Sequence, residues 1–157
     1  VVELISQELD DHAYDKIVPF CWHKSVMAEF MHRLKRFHPA HIRGGMHEDT
    51  RKAQEKRFQN DPRSRVMIGQ TMACGVSITL TAASEVAVVG PAFTPADNTQ
   101  AVLRCHRIGQ PRPVRARFFY IDNGTDKKMQ QILMRRTRDM ASLFDVPPLV
   151  VNPMEGL

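Results

Sequence analysis

The feature that most constrains this chain is an alternation of short β-rich apolar runs with stretches of helical or polar periodicity. Ile17–Trp22 is an apolar run, and Ser25–Phe37 follows it with Val26, Phe30, Met31 and Leu34 at helical spacing. His41–Arg43 reads as a short strand. Glu48–Gln59 is mostly polar, with Ala53 and Phe58 as apolar anchors, and reads as a surface helix. Arg65–Gly69, Glu85–Gly90 and Val114–Tyr120 are further strands. Asp97–Ile108 reads as a helix capped by Asp97 or Asn98. Thr125 caps a long helix to about Phe144, whose face of Met129, Ile132, Leu133 and Met140 is expected to pack on the sheet. Strand–helix alternation of this kind implies an α/β domain with a mainly parallel sheet and helices on both faces. Pro19 stands against a simple first strand, because proline removes a ladder donor; that strand is expected to be peripheral, or its pairing broken there.

At 157 residues the chain has the size of one domain with a core of its own. Hydrophobic residues at 43% and charged residues at 25% exclude a disordered tail or a collagen-like chain. No stretch approaches the ~20 apolar residues of a membrane span, so no membrane association is expected. A start at Val without a signal peptide points to an excised fragment. Cys21, Cys74 and Cys105 are an odd set at unrelated spacings and read as reduced thiols of an intracellular protein. Seven histidines raise the question of a metal. No CxxC or HExxH supplies a ligand set, and none is expected.

The net charge of +5 is less telling than its distribution. Between Gln100 and Arg138 ten bases face two acids, Asp122 and Asp126, a local excess of +8. Such a segment suits a polyanion; a solvated helix face is the alternative. Within it, Gln100, Arg104 and Arg107 stand at i, i+4 and i+7, so on a helix they share one face. Two guanidiniums and an amide on one side make a poor core and a good anion clamp, since guanidinium forks onto phosphate oxygens. From spacing alone, a surface helix with scattered arginines stands beside that reading.

The run His106-Arg107-Ile108-Gly109-Gln110 resembles the last motif of superfamily-two helicases in its Swi/Snf-type form. Other blocks follow in the family's order. Lys16–Lys24 is similar to the first strand of the second RecA-like lobe and the turn after it. Gly44-Gly45, Arg51 and Phe58–Asp61 resemble its glycine turn and polar helix, and Thr71–Ala83 resembles the fifth motif. The likeness runs from about Lys16 to about Leu133. Cys74 and Ser77 replace the usual glycines, Thr79 an Asn, Arg43 an Asp and Leu103 an acidic residue. These departures imply a divergent branch, near bacterial or phage members and annealing-helicase relatives.

The resemblance implies a RecA-like helicase C-terminal domain over residues 1–145, with a post-motif helix at 126–145 and a Pro-rich tail at 146–157. No Gly is followed by Lys-Ser or Lys-Thr, so a phosphate-binding loop is missing, and no Asp-Glu pair is placed to hold Mg²⁺. The chain resembles the second half of a motor. ATP and Mg²⁺ are expected mainly on an absent N-terminal RecA-like lobe of the same parent chain, and this fragment is expected to be inactive alone and monomeric. By the same resemblance Arg107 is the arginine finger, Arg104 its partner on the phosphates, and Gln100 the link between nucleotide state and lobe closure. Gly75 allows close backbone approach to a ligand. Lys24, Thr71 and Ser77 are candidates for DNA-backbone contacts without sequence readout, with loop hydrogen bonding the alternative for Thr71 and Ser77. His106 is expected to fix the helix end or touch the other lobe. The location implied is intracellular, cytoplasmic for a bacterial or phage source and nuclear for a eukaryotic one. A stand-alone basic α/β module that binds nucleic acid or protein without ATPase chemistry is the alternative.

Overall fold

A computed structural model describes residues 1–71, 78–92 and 94–120, with Lys128, Gln131, Ile132 and Arg135 beyond them. The elements in order are helix α1 (Val2–Asp10), strand β1 (Ile17–Cys21), helix α2 (Lys24–Arg33), strand β2 (Ala40–Ile42) and helix α3 (Glu48–Asn60). Strands β3 (Met67–Gln70) and β4 (Glu85–Val89), helix α4 (Pro95–Val102) and strand β5 (Arg115–Phe119) follow. The five strands form one sheet in the order β2-β3-β1-β4-β5, and every pairing is parallel. Parallel neighbours need crossovers, and helices supply them.

Alternation along each strand sorts the core into two layers. Val18, Phe20, Ala40, Ile42, Met67, Val86 and Val88 pack with Phe58 of α3 and Ala101 of α4. Ile17, Cys21, Val66, Ile68 and Ala87 face the other way, against Ile5 and Leu9 of α1 and Met27, Phe30 and Leu34 of α2. Helices therefore cover both faces, as the alternation implied. β1 and the first four residues of β4 are buried, so the middle of the sheet reads as unbroken apolar runs.

Pro19 does not make β1 peripheral: β1 is the central strand. The β1–β3 ladder pairs Phe20 with Gly69 and Cys21 with Gln70, and Ile17 bridges Val66 in the same register. Between these points the ladder lapses, and Pro19 pairs only toward β4, with Ala87. The missing donor thus interrupts one ladder while burial on both faces keeps the strand central.

Helix α1 lies outside the expected elements. Val2, Ile5 and Leu9 fall at i, i+3 and i+7 and are all buried, which is the reason it forms. Its end is clamped by Arg65, which donates to the carbonyls of Leu9, Tyr14 and Asp15 at 2.9 Å each. At the end of α3, Lys16 Nζ donates to the carbonyls of Phe58 and Asp61, placing a cation on the negative end of the helix. In α2 the buried stripe is Met27 and Phe30, continued by Leu34; Val26 and Met31 are only partly covered. Ile132, expected to be buried, is 50% exposed, so within the described residues the sheet does not cover it. Met129, Leu133, Met140 and the 146–157 segment lie outside the described residues. No helix among the described residues is long and apolar enough to cross a membrane. Burial pushes the Cys21 thiol up to about 12, so it stays protonated near neutral pH.

Candidate functional site

The expected helix over Asp97–Ile108 stops at Val102. Its start is set by Thr94, whose hydroxyl accepts from the Asp97 amide at 3.4 Å, with Pro95 in the first turn. Asn98, expected as a possible cap, is instead buried and holds both the amide (2.8 Å) and the carbonyl (3.0 Å) of Ala92. Past Val102 the ladder tightens: Arg104 and Cys105 donate to carbonyls three residues back, at 3.2 and 3.0 Å. The Arg104 carbonyl then accepts from Leu80 N–H at 2.9 Å, and the Cys105 carbonyl from the Gln110 side chain at 3.2 Å. Both carbonyls are thus held from outside α4, beyond the point where the ladder has tightened. Gly109, at φ 97°, turns the chain in a conformation glycine adopts freely.

Arg104 and Arg107 therefore sit on a compact irregular turn, and the expected i, i+4, i+7 helical face with Gln100 does not form. Gln100 remains on α4, exposed. The Arg104 Nε is buried and has no hydrogen-bond partner. Arg107 is exposed and its Nη1 donates to the Thr79 hydroxyl at 3.3 Å. Among the described residues neither guanidinium pairs with a carboxylate. His106 is exposed and its amide donates to the Val102 carbonyl at 3.3 Å. Ile108 is fully exposed beside it.

The rest of the basic segment behaves differently. Arg115 pairs with Glu85 at 2.9 Å, Arg112 with Asp15 at 3.3 Å, and Arg117 forks onto both Glu8 oxygens at 2.6 Å. Burial opposes ionisation of Glu8, but hydrogen bonds from Arg117 and Tyr14 outweigh it and hold the carboxyl below its ordinary value. Tyr14 is driven up by burial and by the same glutamate. This region is a fastener between α1 and β5.

The arginine turn rests on residues 79–83, just ahead of β4. Gln110 Nε2 donates to the carbonyls of Thr81 (3.0 Å) and Ala83 (2.7 Å). From α3, Gln59 Nε2 donates to the Thr79 carbonyl (3.0 Å) and the Thr81 hydroxyl (3.2 Å), and its Oε1 accepts from Ala82 N–H (2.8 Å). Glu55 Oε1 accepts from Thr79 N–H at 2.7 Å. Gln59 entered the sequence reading only within the Phe58–Asp61 block and Glu55 only within the polar helix; neither was given a site role, and their i, i+4 spacing does not reveal the partner.

Lys24 and Thr71 lie at the opposite edge of the sheet, past the carboxyl ends of β1 and β3, which are neighbours. Lys24 is exposed. Thr71 is 6% exposed and its hydroxyl has no partner. At the same edge Gly44 N–H donates to Gln70 Oε1 at 2.9 Å, and Gly45 takes φ 80°. Gly75 and Ser77 lie outside the described residues. No group of three or more His, Cys, Asp or Glu among the described residues could hold a metal ion.

With this geometry in place, comparison with known proteins decides the family. Residues 1–109 match the helicase conserved C-terminal domain. The chain belongs to that family. Its relatives are Swi/Snf-type helicases. DNA repair protein RAD5B of Arabidopsis thaliana is 37% identical over 86 residues, covering 55% of this chain and 7% of that protein. ATP-dependent helicase ULS1 of Saccharomyces cerevisiae is 26% identical over 147 residues, 92% of this chain and 9% of that protein. The C-terminal part of the Fun30 ATPase domain matches in fold, with a TM-score of 0.76 and 23% identity over 83% of this chain and 42% of that one. The helicase C-terminal domain here is thus RecA-like, and it spans under a tenth of the length of these two curated relatives. Being plant and fungal, they lend nothing to a bacterial or phage placement.

Proposed function

We propose that this domain is the second motor lobe of an ATP-dependent, DNA-stimulated translocase, closing over a nucleotide held mainly by an N-terminal RecA-like lobe of the same parent chain. Phosphoryl transfer asks a protein chiefly for position and charge. Arg107 serves as the arginine finger, Arg104 as its partner on the phosphates, and Gln100 as the residue that senses closure from α4. Mg²⁺ and the triphosphate grip belong to the first lobe, so the chain alone does not hydrolyse ATP. Lys24, Thr71, Ser77 and the backbone at Gly75 serve DNA phosphates and ligand approach, without reading sequence. Thr71, being buried, reaches a phosphate only if its edge opens. The parent acts inside the cell, in the nucleus as its relatives' chromatin and repair names suggest.

One observation supports this most: among the described residues, of the five arginines from 104 to 117, only Arg104 and Arg107 have no carboxylate partner. The Arg104 Nε is buried without a hydrogen-bond partner, a state it shares with Arg117 Nε, so the missing carboxylate is what sets Arg104 and Arg107 apart. A finger contributes roughly 10³–10⁵ in rate, or about 4–7 kcal/mol of barrier. In the full-length parent, Arg107→Ala is expected to remove DNA-stimulated ATP hydrolysis by at least about a thousandfold while circular dichroism and DNA binding persist. Turnover near the native rate overturns the assignment and favours a basic binding module without ATPase chemistry.

A further inference from the structure

Residues 79–83 have an unusual economy of hydrogen bonds. Apart from the turn from Ala83 N–H to the Leu80 carbonyl, seven of their backbone groups are held from outside the segment, six of them by side chains. Gln59 takes the Thr79 carbonyl and the Ala82 amide, Glu55 the Thr79 amide, Gln110 the carbonyls of Thr81 and Ala83, and Arg112 the Ala82 carbonyl at 2.9 Å. A short irregular segment secured at this many points has little freedom left. Thr79, bonded to α3 through both backbone groups, is also the residue whose hydroxyl receives Arg107.

We infer that Glu55 and Gln59 are positioning residues for Arg107, acting through Thr79. This rests on the reading of Arg107 as the transition-state arginine. Neither residue touches substrate; they fix the platform on which the guanidinium is pre-oriented before the lobes close. An arginine displaced by about 1 Å can lose up to about a hundredfold in rate, so even a partial release of the platform is measurable. Because the effect is on geometry in the transition state, it falls on kcat and leaves the ATP KM in place. Helix α3 supplies its own control. Gln54 Oε1 accepts from the His41 amide at 3.2 Å, a comparable side-chain bond from the same helix that never meets the 79–83 segment.

The test is ATPase kinetics of the full-length parent with saturating DNA, on Gln59→Met, Glu55→Met, Glu55→Gln and Gln54→Met. Gln59→Met and Glu55→Met are expected to lower kcat about tenfold with the ATP KM within about twofold. Glu55→Gln keeps an oxygen for the Thr79 amide and is expected to restore most of the rate; Gln54→Met is expected to match the native enzyme. In an Arg107→Ala background, single-turnover rates should show no further loss from Gln59→Met, since the platform then has nothing to aim. Equal losses from Gln54→Met and Gln59→Met, or an undiminished Gln59→Met effect without Arg107, overturn the inference. If Gln59→Met does not fold, as judged by thermal unfolding, the Glu55→Met and Glu55→Gln pair decides: equal rates for the two overturn it. Native turnover in Arg107→Ala alone sinks the finger assignment itself, an outcome distinct from all of these.

Discussion

The turn from Arg104 to Gln110 and the segment from Arg112 to Arg117 are adjacent, carry two and three arginines, and hold them in opposite ways. In the second, each guanidinium is answered by a carboxylate from elsewhere in the chain: Asp15, Glu85 and Glu8. In the first, side chains and backbone hold the turn itself in place while, among the described residues, its two guanidiniums meet no carboxylate. Charge density along a sequence therefore does not locate a binding surface. What locates it is whether the fold supplies counter-charges, and that is a property of elements distant in sequence.

The same substitution in both regions tests this most severely. Arg107→Lys keeps the charge and loses the planar fork, and is expected to lower kcat by at least about a hundredfold in the parent. Arg115→Lys keeps an ion pair to Glu85 and should leave kcat within about twofold. ATPase assays on the two purified variants make the comparison; similar losses would erase the distinction between the regions.

Stability should answer to the second region alone. Arg117→Met strips the partly buried Glu8 of its partner and is expected to cost about 3 kcal/mol, or roughly 6–12 °C in the melting temperature. Removing both charges, with Glu8→Gln beside Arg117→Met, should recover much of that loss, because the penalty lies in the stranded carboxylate. Glu8 also gives the pair a pH signature. Its folded-state value lies below the ordinary 4.5, so its contribution is complete above that value and is lost as pH falls through the depressed one. Urea unfolding midpoints of the native chain between about pH 5 and pH 3 should fall more steeply than those of Glu8→Gln.

How far the sequence carried the reading follows the same division between local and distant causes. Strands β1 to β5 and the helices between them were legible because apolar periodicity is local, although the faces differ in detail: α2 buries Met27 and only partly covers Val26, and Ala53 of α3 is exposed. Pro19 was legible as an interruption but not as a central residue, since strand order depends on crossovers that no local pattern encodes. Helix α1 was not among the expected elements, although Val2, Ile5 and Leu9 carry its period. The helix around Arg104 was drawn too long. Its residues favour continuation, but its ladder tightens after Val102, and Leu80 and Gln110 hold the carbonyls of Arg104 and Cys105. The motif drew attention to the arginines, while the Glu55–Gln59 support beneath their turn depends on contacts twenty or more residues apart.

The smallest expected effect sharpens the comparison from within the second region. Arg112 makes two kinds of contact: an exposed ion pair with Asp15, whose side chain is 84% exposed, and a hydrogen bond to the Ala82 carbonyl. Solvent and salt screen the first, and such pairs contribute about 0–1 kcal/mol. The second secures the segment on which Arg107 rests and does not depend on the acid. Asp15→Asn is therefore expected to move the unfolding free energy by under about 0.5 kcal/mol and to leave kcat unchanged. Arg112→Met removes both contacts and should lower kcat by a few-fold, through Ala82, at similar ATP affinity. If Asp15→Asn reproduces the Arg112→Met loss in rate, the exposed pair, and not the carbonyl contact, orients Arg112, and the second region would then reach into the first.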